Sequence, residues 1–190
     1  MISSTEADLI RAHYAGDEQA LPTLIERFLP FVFRFLVRMV GNQQLAEDLS
    51  QETFIKVWQN LSRFHLNQSF KTWTLSIARN VAIDYLRKKQ AIPFSNLENE
   101  DLPDFGETIA DPQALPSDLL LKNDLAQELS QALATLPPKT RSIILLHDTE
   151  GLTFQEIADG LQESINTVKS RYRRGVQALH TYFVEKKQEI

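Results

Sequence analysis

Four cationic side chains lie within six residues near the C-terminus of this chain, at Lys169, Arg171, Arg173 and Arg174. No acidic residue interrupts positions 164–184, although the chain of 190 residues carries a net charge of −5. Lysine and arginine neutralise the phosphates of nucleic acid, and arginine also pairs with the edge of guanine in the major groove. The chemistry available to this segment is therefore the recognition of DNA rather than catalysis.

These cations are expected to lie on a helix that follows a second, shorter helix. Ser164 is a favoured helix-capping residue, and Ile165 and Val168 recur at the spacing of a buried helical side. Upstream, the capping box at 153–156 predicts a helix that ends near Leu161. Two short helices joined by a tight turn form a helix-turn-helix, whose second helix lies in the major groove.

The turn between these two helices departs from the usual pattern. Many helix-turn-helix units have glycine at the position that Gln162 occupies, four residues after the alanine matched by Ala158, whereas here Gly160 comes earlier. We expect the turn to differ and the second helix to lie at a shifted angle. Gly175, within that second helix, is expected to cost about 1 kcal/mol relative to alanine.

The composition favours no catalytic or metal-binding chemistry. The chain has no cysteine, so disulfides and thiolate metal sites are excluded, and its four histidines are scattered along the sequence. Neither a phosphate-binding glycine loop nor a nucleophile paired with a base occurs in the sequence. The chain is therefore not expected to be an enzyme, nor to bind a cofactor or a metal ion.

The hydropathy pattern predicts no membrane segment. The N-terminus lacks the cationic and apolar regions of a signal peptide. The most apolar run, at 28–40, contains Pro30, Arg34 and Arg38, and it falls short of the ~20 residues that a helix needs to cross a bilayer. We therefore expect a cytoplasmic protein that does not insert into a membrane.

The distribution of charge divides the chain into three parts. Residues 1–90 contain 11 Lys and Arg against 9 Asp and Glu, and residues 136–190 contain 8 against 7. Residues 91–135 contain 1 against 9, and the stretch 91–116 within them also holds four prolines. Low hydrophobicity, proline and like charge predict a flexible acidic linker at 91–116. The expected domains are therefore 1–90 and 117–190.

Helical signals run through both expected domains, and no segment has the alternation of a strand. Ser4 or Thr5 opens a first helix, the pair Gly41-Asn42 ends a second helix and caps a third, and Ser69 caps a fourth. After the linker a helix is expected over 118–136, with Pro138 in the first turn of the next helix. The predicted fold class is all-α, with a helix-turn-helix in the C-terminal domain.

Three stretches of the sequence together resemble bacterial sigma factors of the extracytoplasmic-function (ECF) type. They are AEDLSQETFIKVW at 46–58, FKTWTLSIARN at 70–80 with RKK at 87–89, and LP at 136–137 with GLTFQEIA at 151–158, which leads into the cationic helix. The stretches occur in the order and spacing of that family. The resemblance implies a transcription initiation factor that binds RNA polymerase, directs it to the −10 and −35 elements of promoters, and performs no chemistry of its own.

The resemblance also assigns roles to three groups of residues. One face of the third helix would bind core polymerase, through Asp48, Gln51, Glu52, Ile55 and Trp58. The fourth helix and the loop before it would melt and read the −10 element, through Phe64, His65, Asn67, Ser69, Lys71, Asn80, Asp84, Arg87 and Lys88. The cationic helix would read the −35 element, through Asn166, Thr167, Lys169, Ser170, Arg171, Arg173 and Arg174.

Three partners are implied by the same resemblance. They are the core of RNA polymerase, contacted at its β′ coiled coil and its β flap, promoter DNA, and an anti-sigma factor that covers the polymerase-binding surfaces. In such an arrangement the linker at 91–116 would pass through the polymerase between the two DNA-reading domains.

The residues alone leave plainer interpretations open. The acidic face around Asp48 can be an ordinary solvated surface, Phe70 and Trp73 can be core residues, and the cationic helix can be solvated. A stand-alone regulator with a helix-turn-helix would bind a palindromic operator without polymerase. A helical adaptor protein would show no salt-dependent affinity for DNA at all.

Overall fold

The computed structural model describes residues 5–65, 68–91 and 126–188, and every regular element in these ranges is helical. In chain order the elements are α1 (Glu6–Tyr14), α2 (Ala20–Val40), α3 (Gln43–Asn60), a 3-10 turn (Leu61–Arg63), α4 (Phe70–Ala91), α5 (126–134), α6 (Pro138–Ile144), a π turn (Leu145–Thr149), α7 (Phe154–Leu161) and α8 (Ile165–Gln188). The predicted all-α class is confirmed. The predicted linker, apart from Ala91, and the first part of the helix expected at 118–136 lie outside the described residues.

Helices α1–α4 form an N-terminal lobe with α2 at its centre. Phe35, Leu36 and Met39 on α2 are fully buried, and α2 packs against α1, α3 and α4. Pro30 lies on the exposed side of α2, within the helix. Like the other described helices, α2 is not long and apolar enough to cross a bilayer.

Local capping sets the ends of these helices as the sequence predicts. Gly41 ends α2 in the left-handed region, with φ of 71°, where glycine carries no steric penalty. Asn42 begins α3, because its Oδ1 accepts a hydrogen bond of 2.7 Å from the backbone N–H of Leu45. Ser69 begins α4, where its Oγ accepts from the N–H of Thr72 at 3.3 Å. These three residues thereby fix the end of α2 and the starts of α3 and α4.

Helices α5–α8 form a C-terminal lobe in which α8 packs across α6 and α7. Ile157 and Val168 join the two helices of the helix-turn-helix and are fully buried. At Gly175 a Cβ atom would lie 2.7 Å from both Ile144 Cδ1 and Thr140 Cγ2. The expected advantage of alanine at this position does not hold, because glycine permits the close approach of α8 to α6.

The two lobes pack directly against each other. Helix α4 contacts α6 and α7, and α2 contacts α6 and the π turn. Gly160 on α7 faces α4, where a Cβ atom would lie 3.0 Å from Thr72 Cγ2. The guanidinium of Arg141 on α6 donates to the carbonyl of Met39 on α2 at 2.6 Å. The sequence predicts two domains and a linker, and the structure adds the contact between the two lobes.

Candidate polymerase and DNA surfaces

The five residues predicted to bind polymerase lie together on the exposed side of α3, here called the α3 face: Asp48, Gln51, Glu52, Ile55 and Trp58. Ile55 is 53% exposed and Trp58 is 58% exposed, while Leu49 and Val57 on the opposite side are buried. Exposed apolar side chains with a polar rim are typical of protein interaction sites. The α3 face can therefore bury apolar surface against a partner and offer carboxylates beside it.

The charge of the α3 face is partly neutralised within the chain. Lys56 Nζ lies 2.7 Å from Glu52 Oε1, one helical turn away. Asp48 and Glu52 are also one turn apart, and such a like-charge pair costs ~0.2–0.5 kcal/mol on an isolated helix. Asp48 forms no ion pair within the described ranges, so it is the carboxylate more readily available to an incoming cation.

The residues predicted to read the −10 element lie along α4 and the loop before it. His65, Ser69, Asn80, Arg87 and Lys88 are exposed, whereas Phe64, Lys71 and Asp84 are partly buried. Asn67 lies outside the described residues. Arg79 Nη1 donates to Asn80 Oδ1 at 3.1 Å, and Arg87 Nη2 donates to Asp84 Oδ1 at 3.0 Å. Each of these two Oδ1 atoms therefore already accepts from an arginine, and a base edge that binds the same oxygen must share it with that arginine or displace it.

An open groove of about 530 Å³ lies between this surface and the C-terminal lobe. Trp73 lines the groove and packs against Phe64 and Phe70, with ring centroids 5.1 and 5.6 Å apart. Phe70 is fully buried and is a core residue, whereas Trp73 is partly exposed. Aromatic stacking on a base contributes ~1–3 kcal/mol in single-strand binding. The cations that line the same groove are Lys56 and Arg63.

Gln162 takes the left-handed conformation that glycine usually provides in the turn between α7 and α8. Its φ is 54° and its ψ is 39°, and no other non-glycine residue in the described ranges has a positive φ. The N–H of Gln162 donates to Asp159 O at 3.2 Å, and the N–H of Glu163 donates to Ala158 O at 3.0 Å. The turn therefore closes at some conformational cost, since a left-handed residue other than glycine costs about 1–2 kcal/mol. The expected shift in the angle of α8 stays a prediction.

The residues predicted to read the −35 element lie on the first three turns of α8. Asn166, Lys169, Arg173 and Arg174 are exposed, whereas Thr167, Ser170 and Arg171 are partly buried. Ser164 caps the helix, because its Oγ accepts from the N–H of Thr167 at 3.1 Å. Arg171 differs from the other cations of this group, because its guanidinium donates to the carboxylate of Glu163.

An aromatic cluster holds α8 in place. The ring of His147 stacks on that of Phe154 at 4.1 Å and meets Tyr172 edge-on at 5.0 Å. His147 Nδ1 donates to the carbonyl of Leu152 at 2.7 Å, and Tyr172 Oη donates to Asp148 Oδ1 at 3.0 Å. Burial, together with the bond to Asp148, raises the pKa of Tyr172. The side of α8 that carries the residues predicted to read the −35 element is therefore oriented by contacts on the buried side of the helix.

Three charged residues at the contact between the lobes are not among those that the sequence predicts to be functional. Arg79 Nε donates to Ser142 Oγ at 3.0 Å, and its Nη2 lies 3.6 Å from Glu163 Oε1. Burial lowers the pKa of Arg79, and Glu163 opposes that shift. Glu150 is the second of these residues, with a side chain that is fully buried beside cations of the other lobe.

Arg141 is the third residue, and its guanidinium is surrounded by backbone carbonyls. It donates to Leu133 O and Ala134 O at 2.8 Å each, as well as to Met39 O. Burial lowers the pKa of Arg141 to about 10. The signal in the sequence is an arginine two residues before the apolar run 143–146, where a solvated side chain is not expected.

Comparison with known proteins gives matches to two family models. The model described as Sigma-70 region 2 matches residues 24–92, and the model described as Sigma-70, region 4 matches residues 126–179. The first match contains α3 and α4, and the second contains the helix-turn-helix. Both groups of predicted DNA-reading residues and the α3 face thus lie within the matched ranges.

Curated relatives match along most of the chain. The ECF RNA polymerase sigma factor SigW of Bacillus subtilis is 34% identical over 86% of this chain and 89% of its own length. The ECF RNA polymerase sigma factor SigE of Mycolicibacterium smegmatis is 32% identical over 92% of this chain and 66% of its own length. The sigma factor RpoE of Bartonella quintana, solved in complex with the anti-sigma factor NepR, has a TM-score of 0.65 and 25% identity over 84% of this chain and 94% of its own.

Proposed function

This chain belongs to the sigma-70 family as a sigma factor of the ECF type, and we propose how its two lobes divide the work of transcription initiation. As a member of this family the chain is a transcription initiation factor and not an enzyme. Residues 1–90 act as the region 2 domain, residues 91–116 as the linker and residues 117–190 as the region 4 domain.

The α3 face binds core polymerase at the β′ coiled coil. The observation that carries this step is the exposure of Ile55 and Trp58 beside Asp48 and Glu52 on one side of a helix whose other side is core. Apolar contact with Trp58 and Ile55 would exclude water, so that the carboxylates would meet cations of the coiled coil in a medium of lower dielectric constant. The C-terminal lobe would bind the β flap.

The N-terminal lobe reads the −10 element and the C-terminal lobe reads the −35 element. The exposed Asn80, Arg87 and Lys88 on α4 support the first assignment, together with the partly exposed ring of Trp73 in the groove. The exposed Lys169 and Arg173 on a capped helix of a helix-turn-helix support the second. These events take place on promoter DNA with polymerase, so the proposed location is the cytoplasm.

An anti-sigma factor is the proposed inhibitor of this chain. The solved relative from Bartonella quintana is bound to one, and that protein matches most of this chain. An inhibitor that covers the α3 face would compete directly with polymerase, because it would bury the same exposed residues.

The test of this proposal is charge reversal on the α3 face. The double variant D48K/E52K should lose binding to core polymerase in a pull-down and should lose transcription in vitro, with an unchanged helical circular dichroism spectrum. The control is E18K/E26K, which makes the same change in net charge at two exposed residues outside the α3 face. Retained binding by D48K/E52K would contradict the assignment of this surface.

A further inference from the structure

Glu150 is a carboxylate from the C-terminal lobe that is buried against the N-terminal lobe. Its side chain is 0% exposed, with Oε1 3.6 Å from Arg34 Nε and Oε2 3.2 Å from Lys71 Nζ. Lys71 Nζ also donates to the backbone carbonyl of Glu150 at 2.7 Å. The residue directly follows the π turn and precedes Gly151, whose φ is 73°, so a tight bend carries it towards the other lobe.

The site that receives Glu150 is built by α2 and by the first turn of α4. Arg34 and Arg38 lie one turn apart on α2, and Lys71 lies at the start of α4. The ring of Phe31 faces both Lys71 Nζ, at 4.6 Å, and the guanidinium of Arg34, at 5.2 Å. Burial and the neighbouring Arg34 lower the pKa of Arg38, and Glu150 acts in the opposite direction. These three cations therefore share one electrostatic environment.

Glu150 leaves both the charge and the hydrogen-bonding capacity of this site partly unmatched. Neither of its carboxylate oxygens accepts a hydrogen bond from the residues that the structure describes, although both lie within ion-pair distance of a cation. One carboxylate is thus the counter-ion of three cations. A buried ion pair is stabilising only when the hydrogen bonds of its charged groups are also satisfied. A group with more oxygen atoms and a negative charge, such as a phosphodiester, would suit the three cations better.

We propose that Arg34, Arg38 and Lys71 form a binding site for a phosphate of the promoter DNA strand, and that Glu150 occupies this site while the two lobes are in contact. The inference rests on the proposed function, because it extends the −10 surface of α4 onto α2. Lys71 belongs to the predicted −10 group, whereas Arg34 and Arg38 belong to none of the predicted groups. The aromatic ring of Phe31 beside the cations matches the composition of single-strand binding sites.

The proposal makes closure of the lobes and binding of DNA mutually exclusive. In the closed chain Lys71 is held by Glu150, and Arg171 is held by Glu163, which also faces Arg79. The α3 face stays exposed in the same structure. Polymerase can therefore bind the closed chain first, and separation of the lobes then exposes the phosphate site.

The test uses the full chain, in which the absence of native cysteine allows specific labelling. Cysteines placed at the exposed positions Glu47 and Gln177 carry a pair of spin labels or fluorophores that report the distance between the lobes. The variant is Glu150→Gln, and the control is Glu185→Gln, which removes the same charge from an exposed position on α8. The probe is a mixed-sequence single-stranded DNA of about 20 nucleotides, long enough for the site sizes typical of single-strand binders.

We expect Glu150→Gln to separate the lobes and to bind the probe about tenfold more tightly than wild type. A tenfold gain in affinity is what one additional charge-assisted contact to a phosphate provides. The slope of log affinity against log salt concentration should steepen by about 0.7 for each phosphate that the site neutralises. Adding Arg34→Gln and Lys71→Gln to this variant should return the affinity to the wild-type level, and Glu185→Gln should bind as wild type does. Separation without tighter binding would overturn the phosphate site, and an unchanged distance would overturn the role of Glu150.

A second variant covers the case in which Glu150→Gln fails to fold. Gly160→Leu places a side chain between α7 and α4 and should separate the lobes with Glu150 intact, again with tighter binding of the probe. If that variant opens and gains no affinity, the phosphate site is wrong. A separate experiment tests the proposed function. If the wild-type chain supports no transcription in vitro with core polymerase, the proposed function itself is wrong. An unchanged response to Glu150→Gln in a chain that transcribes normally rejects this inference alone.

Discussion

Arg79 on α4 and Arg171 on α8 share the carboxylate of Glu163. Glu163 Oε1 lies 3.6 Å from Arg79 Nη2, and its other oxygen accepts a hydrogen bond from Arg171. Arg79 is almost fully buried, with its side chain 7% exposed, whereas Glu163 and Arg171 are about one-fifth exposed. The helix assigned to the −10 element and the helix assigned to the −35 element are therefore joined by one charged group at the contact between the lobes.

The first prediction concerns this shared carboxylate. Glu163→Gln should lower the free energy of unfolding by about 1–3 kcal/mol, because it leaves two guanidinium groups close together without a counter-charge. The loss should be smaller than for a fully buried ion pair, since Glu163 and Arg171 are partly exposed. Urea unfolding followed by circular dichroism measures the change. Asp159→Asn, a neighbouring exposed carboxylate, should change stability by less than about 0.5 kcal/mol. Equal effects of the two variants would contradict the assigned role of Glu163.

The second prediction concerns the capping box that begins α7. The Glu156 carboxylate accepts from the N–H and the hydroxyl of Thr153 at 2.8 and 2.7 Å, and these bonds lower the pKa of Glu156. Thr153→Ala should cost about 1 kcal/mol at neutral pH, where Glu156 is ionised. Thr153→Ser keeps the hydroxyl and is expected to stay close to wild type.

The difference in unfolding free energy between wild type and Thr153→Ala should depend on pH, because the pKa of Glu156 is lowered in the folded chain. Since the folded pKa of Glu156 is below its unfolded value, this stabilisation is fully present above ~4.3, the usual pKa of a glutamate, and is lost as pH falls through the lower folded value. The gap in unfolding free energy between wild type and Thr153→Ala should therefore narrow in acid. Unfolding curves measured at neutral pH and in acid provide the check, and a constant gap would contradict it.

The third prediction concerns the backbone of the helix-turn-helix turn. Gln162→Gly should raise the free energy of unfolding by up to about 1 kcal/mol, because glycine takes a positive φ without the penalty that Gln162 carries, although it loses more entropy on folding. Thermal unfolding measures the gain. Gln162→Ala is the matched control, since it removes the side chain and keeps the penalty. If Gln162→Ala raises the free energy of unfolding as much as Gln162→Gly does, the gain comes from removing the side chain and not from relieving the backbone.

Local chemistry is the part of the fold that the sequence predicts well. The caps at Asn42, Ser69 and Ser164 are confirmed because each depends on a side chain and a backbone N–H three residues apart. The exposed side of α3 follows from the same short-range periodicity, with Trp58 as the exception. Trp58 has a large apolar ring system, which favours burial in a core, yet more than half of its surface is exposed.

Contacts between distant residues are the part that the sequence does not predict. Arg79 meets Ser142 across 63 positions of the chain, and Arg141 meets Met39 across 102. No periodicity within a helix contains that information, because it depends on how two lobes dock. Gly175 illustrates the same limit on a smaller scale. Helix propensity favours alanine there, and the packing of α8 on Ile144 reverses the preference.

The fourth prediction concerns Arg173, which is exposed on α8 and is proposed to read the −35 element. Removal of one phosphate contact from duplex DNA lowers the slope of log affinity against log salt by ~0.9. Arg173→Ala in the holoenzyme should show that decrease if the guanidinium binds a phosphate. If it reads guanine, the loss should instead be ~1–3 kcal/mol and concentrated at one base pair of the −35 element.

Arg173→Lys separates these two modes of binding. Lysine keeps the charge, so a phosphate contact and its salt slope should survive, but lysine lacks the two-pronged geometry with which arginine pairs with guanine. Lys187→Ala is the control, because it removes an exposed cation from the far end of the same helix. Promoter binding of the holoenzyme, measured over a range of salt concentrations on DNA with single substitutions in the −35 element, provides the readout. If Arg173→Ala changes neither the slope nor the preference at any base pair, Arg173 does not bind DNA, and the −35 assignment must pass to the other exposed cations of α8.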